Sequence, residues 1–232
     1  MKTEQLFLLL SLLCPSLLVN AQTVDEICQH HVKALGGEQA VNNIKTLKMV
    51  QTGTSQGMDM PITSIVIPGK AYYQKIQTSM GYIISSVHGD SGWTYSSSSS
   101  RKTTLSPAMT QSMLIQSKFY GPLFDYYVNK KTTEVKNITM AGTTTIDREK
   151  CYHLEVNYKS GYKATVYLSS RNYMILKAIS PAGTIKYGNY RKVKGVLIPY
   201  YIEIFNNQGT IVATTFKIEI NGKIDNDLFA HP

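Results

Sequence analysis

Nowhere in this sequence do histidine, cysteine and carboxylate residues gather at the spacings of a metal site or a catalytic triad. His30 and His31 are adjacent, so on a helix their side chains diverge by about 100° and cannot chelate one ion as an i, i+4 pair does; each is expected as an exposed or half-buried helix residue. His88, His153 and His231 stand alone, and no serine occupies a nucleophile elbow. Asp90, Asp225 and Asp227 fall in turn or capping contexts, where such side chains bond their own backbone. The residue groupings therefore lend no support to an enzyme, suggest no metal and imply no cofactor.

A long hydrophobic run is also missing. The apolar stretch Leu6 to Leu13 is broken by Pro15 and falls short of the roughly 20 residues a membrane span needs. With Lys2 before it and Val19-Asn20-Ala21 after it, the stretch reads as a signal peptide over residues 1–21, cleaved before Gln22. Cys14 follows Leu13 rather than a small residue, which speaks against a lipid anchor. The expectation is a soluble periplasmic protein. No Pro-rich or charged linker divides residues 22–232, so a single domain is expected. Acidic residues are scarce, 15 against 24 Lys and Arg, for a net charge of +9. The basic residues are spread singly along strand-like segments (Lys159, Lys163, Lys177, Lys186) and form no block, the pattern of a solvated outer face. An exported protein of this kind has no nucleic-acid partner; a basic surface would face anionic headgroups or acidic polymers. Cysteine is scarce too. Cys28 and Cys151 remain after processing, either bridged across the domain or packed as two separate buried thiols.

What the chain has is alternation. It begins with an amphipathic helix: Thr23 and Glu26 make a capping box, Val24, Ile27, Cys28, Val32 and Leu35 recur at helical spacing, and Gly36-Gly37 stops it. A further turn of helix is expected over Glu38 to Ile44. From Leu47 the period changes to two. Strands are expected at Leu47–Thr54, Ile62–Ile67, Ala71–Thr78, Gly81–Val87 and Trp93–Ser97, and again at Glu134–Met140, Cys151–Tyr158, Lys163–Leu168, Met174–Ser180, Thr184–Tyr190, Val196–Asn206 and Thr210–Ile220. The serine run Ser96 to Ser100, followed by Arg101-Lys102, reads as a surface loop. About twelve strands in one layer system curl into a barrel or part-barrel, which limits exposed edges. Between the two strand series lies an apolar insert, Pro107 to Val128, expected as two short helices around Gly121-Pro122. Its Met109, Met113, Leu114, Phe119 and Phe124 either complete the core or line a cavity for an apolar partner.

Several segments, taken in order, resemble the LolA/LolB-like superfamily, particularly its divergent outer-membrane lipoprotein-sorting-like proteins of Bacteroidetes type. They are Ala34-Leu35-Gly36-Gly37 followed by Ile44-Lys45-Thr46, Ile65-Val66-Ile67-Pro68-Gly69-Lys70, and Ile84 through His88-Gly89-Asp90-Ser91-Gly92-Trp93-Thr94-Tyr95. Gly195-Val196-Leu197-Ile198-Pro199 and Ile224-Asp225-Asn226-Asp227-Leu228-Phe229 complete the series. The resemblance implies an α+β fold that is mainly β: a strongly curved antiparallel sheet forming an unclosed half-barrel covered by short helices. It implies an apolar cavity for the acyl chain of a lipid or acylated protein, lined by the insert residues together with some of Ile65, Ile67, Tyr72, Ile76, Ile83 and Trp93. One position departs from the pattern: the family's carriers have an arginine directly before the proline of the second strand pair, and here it is Ile67, so their lid control does not carry over. Two readings follow, a lipid or lipoprotein carrier, and an envelope sensor or scaffold that binds a membrane surface or an outer-membrane protein.

Overall fold

In the computed structural model, which describes residues 22–207, 209–225 and 227–230, thirteen strands form one antiparallel sheet accompanied by five helices. The expected signal peptide, Cys14 and His231 lie outside the described residues.

Helix α1 (Val24–Leu35) starts as the sequence predicts. Thr23 Oγ1 accepts the Glu26 N–H at 3.2 Å while the Glu26 carboxylate accepts the Thr23 N–H at 2.7 Å. Its buried face carries Ile27, Cys28, His31, Val32 and Leu35. The short α2 (Glu38–Asn42) follows, then a meander of β1 (Leu47–Ser55), β2 (Met58–Ile67), β3 (Ala71–Thr78), β4 (Gly81–His88), β5 (Ser91–Ser96) and β6 (Arg101–Thr104). Helices α3 (Pro107–Ser117) and α4 (Gly121–Val128) lead into a second meander, β7 (Val135–Ile146), β8 (Glu149–Tyr158), β9 (Lys163–Ser169), β10 (Ile175–Ser180), β11 (Gly183–Val193), β12 (Val196–Asn206) and β13 (Gly209–Ile220). The four-residue α5 (Asp227–Ala230) comes last, with Asp225 Oδ1 accepting the Asp227 N–H at 3.0 Å.

The strand order is β6-β5-β4-β3-β2-β1-β13-β12-β11-β10-β9-β8-β7. First and last strands therefore pair at the centre, and α3–α4 connects one free edge to the other. Asn221 clasps the central pair: its Oδ1 accepts the Lys45 and Thr46 N–H groups at 2.7 and 3.3 Å, and its Nδ2 donates to the Asn43 carbonyl at 2.8 Å.

Packing against α4 requires the sheet to be strongly curved. Phe124 packs with Leu47, Val66, Val196 and Ile198, while its neighbour Leu123 packs with Leu154, Val156 and Val166. In the strand order β2 and β8 are seven spacings apart, about 33 Å in a flat sheet. A helix of eight residues is about 12 Å long. Only a sheet curled around α4 brings both sets of strands to it, and a sheet of more than about ten strands is expected to curl. The curl stops short of closure, because β6 and β7 do not pair.

Two expectations need correction. The serine run is not a free loop: Ser97 to Ser100 form the tight turn of a β5–β6 hairpin, with Ser100 at φ 51°, and Arg101-Lys102 begin the edge strand. Four polar residues with no apolar alternation carry no strand signal of their own; pairing with β5 supplies it. His31, expected exposed or half-buried, is 1% exposed.

Candidate functional site: the concave face and its helical cover

Residues directly opposite in an antiparallel ladder share a face, so the register sorts the sheet into two sides. One rung is Leu47, Val66, Tyr72, Val87 and Gly92; Leu47, Val66 and Tyr72 meet the helices, which makes this the concave side. The next concave rung starts at Met49 and is otherwise polar: Ser64, Gln74, Ser85, Thr94 and Thr103. Here Gln74 Nε2 donates to Ser64 Oγ at 3.3 Å, and burial pushes the Tyr72 phenol up to about 12 against a bond to Ser64 that pulls it down. The third rung is Gln51, Ile62, Ile76, Ile83, Ser96 and Arg101. Gln51 is held by its Nε2 donating to Thr215 Oγ1 at 3.0 Å.

The second meander continues this face. Ile202 lies opposite Ala213 and Tyr187, and Ile204 opposite Ile211 and Ile185. Ala178 lies opposite Ile185 and Val166, which in turn faces the helix-packed Leu154. The concave side thus has two zones. Near α1 and α4 it is filled by core. Away from them Ile76, Ile185, Ile202, Ile204 and Ile211 are only half-buried, and Ile83 is 43% exposed.

Helix α3 packs on β3, β4 and β5 in an unusual way. Its fully buried residues are polar, Thr110 and Ser117, while Met113, Leu114 and Ile115 are half-buried and Met109 is 56% exposed. Thr110 sits over Gly92, where any side chain would collide with its Oγ1, and Ser117 Oγ accepts the Gly69 N–H at 3.0 Å while donating to the Leu114 carbonyl. At its C-terminal end the helix is tied down by charge: Lys118 Nζ lies 2.9 Å from the buried Asp125 of α4, whose carboxylate also accepts Asn129 Nδ2 at 3.0 Å and Thr133 Oγ1 at 2.7 Å. A water-sized cavity of about 30 Å³ lies at this joint, between Ile115, Gly121, Asp125, Val135 and Tyr158.

The strand residues expected to line one cavity divide between the two faces. Tyr72, Ile76 and Ile83 are concave. Ile65, Ile67 and Trp93 are on the convex side, where Ile65 lies opposite Tyr73 and Trp93 opposite Ser86. Together with Ile84 and Phe229 they form a separate cluster under α5, and Trp93 Nε1 donates to the Phe229 carbonyl at 2.9 Å. A groove of about 220 Å³ beside it is lined by Lys48, Ile65, Glu219, Lys223 and Leu228. Of the insert, Phe124 is enclosed in the core and Phe119 stacks edge-on against Tyr120, leaving Met109, Met113 and Leu114 on α3. The concave isoleucines of β11–β13 escaped the sequence reading. Their alternation was visible, but which face it served was not.

Cys28 and Cys151 are separate buried thiols. Cys28 packs on the concave side with Leu154, whereas Cys151, three positions before Leu154 on the regular strand β8, points to the other side. Burial pushes the Cys28 thiol up to about 12 and raises that of Cys151, so neither offers a thiolate nucleophile. His31 Nδ1 donates to the Tyr173 carbonyl at 2.7 Å, while Nε2 is buried with no hydrogen-bond partner among the described residues; burial lowers its pKa to about 4. Among the described residues no three His, Cys, Asp or Glu side chains gather to hold a metal ion.

No protein-family profile matches the sequence, and no curated protein matches it. Solved structures do match across nearly the whole chain. A LolA superfamily protein from Nitrosomonas europaea aligns with TM-score 0.58 at 16% identity, over 90% of this chain and 98% of that one. The fold is LolA-like. A DUF1329 family protein from Desulfovibrio piger aligns with TM-score 0.60 at 13% identity, over 91% and 98% of the two chains. A putative outer membrane lipoprotein-sorting protein domain from Vibrio parahaemolyticus gives 0.55 at 14%, over 88% and 95%. Within this LolA-like half-barrel, among the described residues, no helix is long and apolar enough to cross a membrane.

Proposed function

We propose that this is an exported, non-enzymatic binding protein that holds the acyl chain of a lipid or acylated protein against the concave face, under α3. The observation that carries the reading is the mismatch between α3 and what it covers. A helix that carries Met109, Met113, Leu114 and Ile115 buries only Thr110 and Ser117 fully, and isoleucines of the same sheet face stay half-exposed. Apolar surface left unburied on both sides of a cover suits a lid that closes on an apolar occupant, since each buried methylene is worth about 0.8 kcal/mol. Methionine side chains adapt to chains of varied shape. The anchor at Lys118–Asp125 fixes the α3–α4 joint, so the lid opens from its Pro107 end, beside the free edge strand β6. Residues 22–232 act as one domain in this reading, and the signal peptide delivers it to the periplasm.

The test is a dansyl-labelled fatty acid followed by its emission, because Trp93 lies on the convex side and does not report on this face. Saturable blue-shifted emission, displaced by palmitate and weakened more than tenfold in Ile83→Asp, is expected; a carboxylate in the path of the chain must be desolvated without a partner. Absence of a saturable signal, or an Ile83→Asp variant that binds as well as the wild type, contradicts the proposal and favours a scaffold that binds protein.

A further inference from the structure

We propose a second lipid contact, distinct from the acyl site: the shoulder formed by β6 and the first turns of α3 docks onto an anionic bilayer surface. The charge pattern is one-sided. From Ser91 through Phe124 the chain has no Asp or Glu; Lys118 is paired with Asp125, which leaves Arg101 and Lys102 as the cations of this stretch with no carboxylate partner among the described residues. Arg101 to Thr104 are all exposed on a sheet edge that no strand covers, and Ser106, Pro107, Ala108, Met109, Gln111 and Ser112 are exposed just beyond it. Met109 is a large apolar side chain left 56% exposed in this segment. Arg101 and Lys102 alternate across β6, Arg101 on the concave side opposite Ser96 and Lys102 on the convex side opposite Tyr95, where its ammonium lies 5.0 Å from the Trp93 ring. The two cations thus flank the edge from both sides, and an edge-on approach brings both to one plane of phosphates.

The chemistry selects the occupant. A protein groove would be expected to pair an apolar helix with acidic side chains at fixed positions, whereas two flexible cations around a protruding methionine and uncharged serines, threonines and glutamines fit a plane of phosphates above an acyl boundary. Exposed edge strands invite pairing with other chains, and Arg101 and Lys102 also guard this one against that outcome. Docking here would place the free end of α3 at the bilayer, the end by which the acyl site opens.

The test is sedimentation with sucrose-loaded vesicles of phosphatidylcholine alone or with 30 mol% phosphatidylglycerol, at low and high salt. Binding only to the anionic vesicles, lost several-fold at high salt, is expected. The double variant Arg101→Ser/Lys102→Ser should weaken it by about tenfold or more, and Met109→Gln, which adds no charge, should weaken it while keeping the salt dependence. Both changes fall on exposed positions, so circular dichroism should match the wild type. Equal binding to both vesicle types, no binding to either, or a double variant that sediments like the wild type overturns the proposal. The fatty-acid assay separates the two readings: Lys102→Ser, which lies on the convex side, takes up dansyl fatty acid normally if the acyl site exists, whatever the vesicles report.

Discussion

His31 shows how much a single position can carry. It follows Ile27 by four residues and Cys28 by three, so helical spacing alone sets it on the buried face of α1, and the adjacency with His30 that excludes a shared metal says nothing of its burial. What spacing does not reveal is the partner: the Tyr173 carbonyl comes from a turn more than a hundred residues away. With a folded pKa of about 4 against an ordinary value near 6.5, the neutral form is the native one. The unfolded chain binds the extra proton first, so this contribution to stability is complete above about pH 6.5 and is lost as pH falls toward 4, by up to about 1.4 kcal/mol per pH unit. Urea unfolding at pH 7, 6 and 5 should show that slope in the wild type and a shallower one in His31→Gln. Parallel slopes would mean that the burial of this ring is not what the protons sense.

The elements were legible in proportion to how locally they are encoded. The capping box, the glycine stop after α1 and the limits of β3 and β12 followed from the residues that form them. β6 did not, because its four polar residues become a strand only by pairing with β5. Nor could alternation tell which face of β2 or β5 was concave, so Ile65, Ile67 and Trp93 were grouped with residues of the other side; a shift of one position reverses every assignment. Gly36 is a position where an element's end is set by contact. Its φ is 127°, and a Cβ there would run into the Gly195 carbonyl of the β11–β12 hairpin, whereas the same atom at Gly37 meets nothing. Gly36→Ala should therefore lower the urea midpoint by the equivalent of about 2 kcal/mol or more, and Gly37→Ala by about 1 from backbone strain alone. Equal losses in the two variants would remove the steric argument.

At the scale of the whole molecule, a curled sheet was readable from the number of strands and its unclosed form was implied by the family resemblance, but the strand order was in neither. The union of β1 with β13 joins residues from opposite ends of the chain, and no local signal marks it. That union puts both free edges at the two ends of the helical insert. Such topology leaves half-buried isoleucines on the concave face and sets α3 beside the free edge strand β6, where the proposed lid would open. The central claim is that this surface is there for an acyl chain. The most direct measurement is native mass spectrometry of the full chain, purified from the cell envelope without detergent and then offered palmitate. The account predicts a mass increment of one acyl-bearing molecule per protein, either retained from the cell or acquired from the offered fatty acid. A protein that arrives empty and stays empty contradicts it.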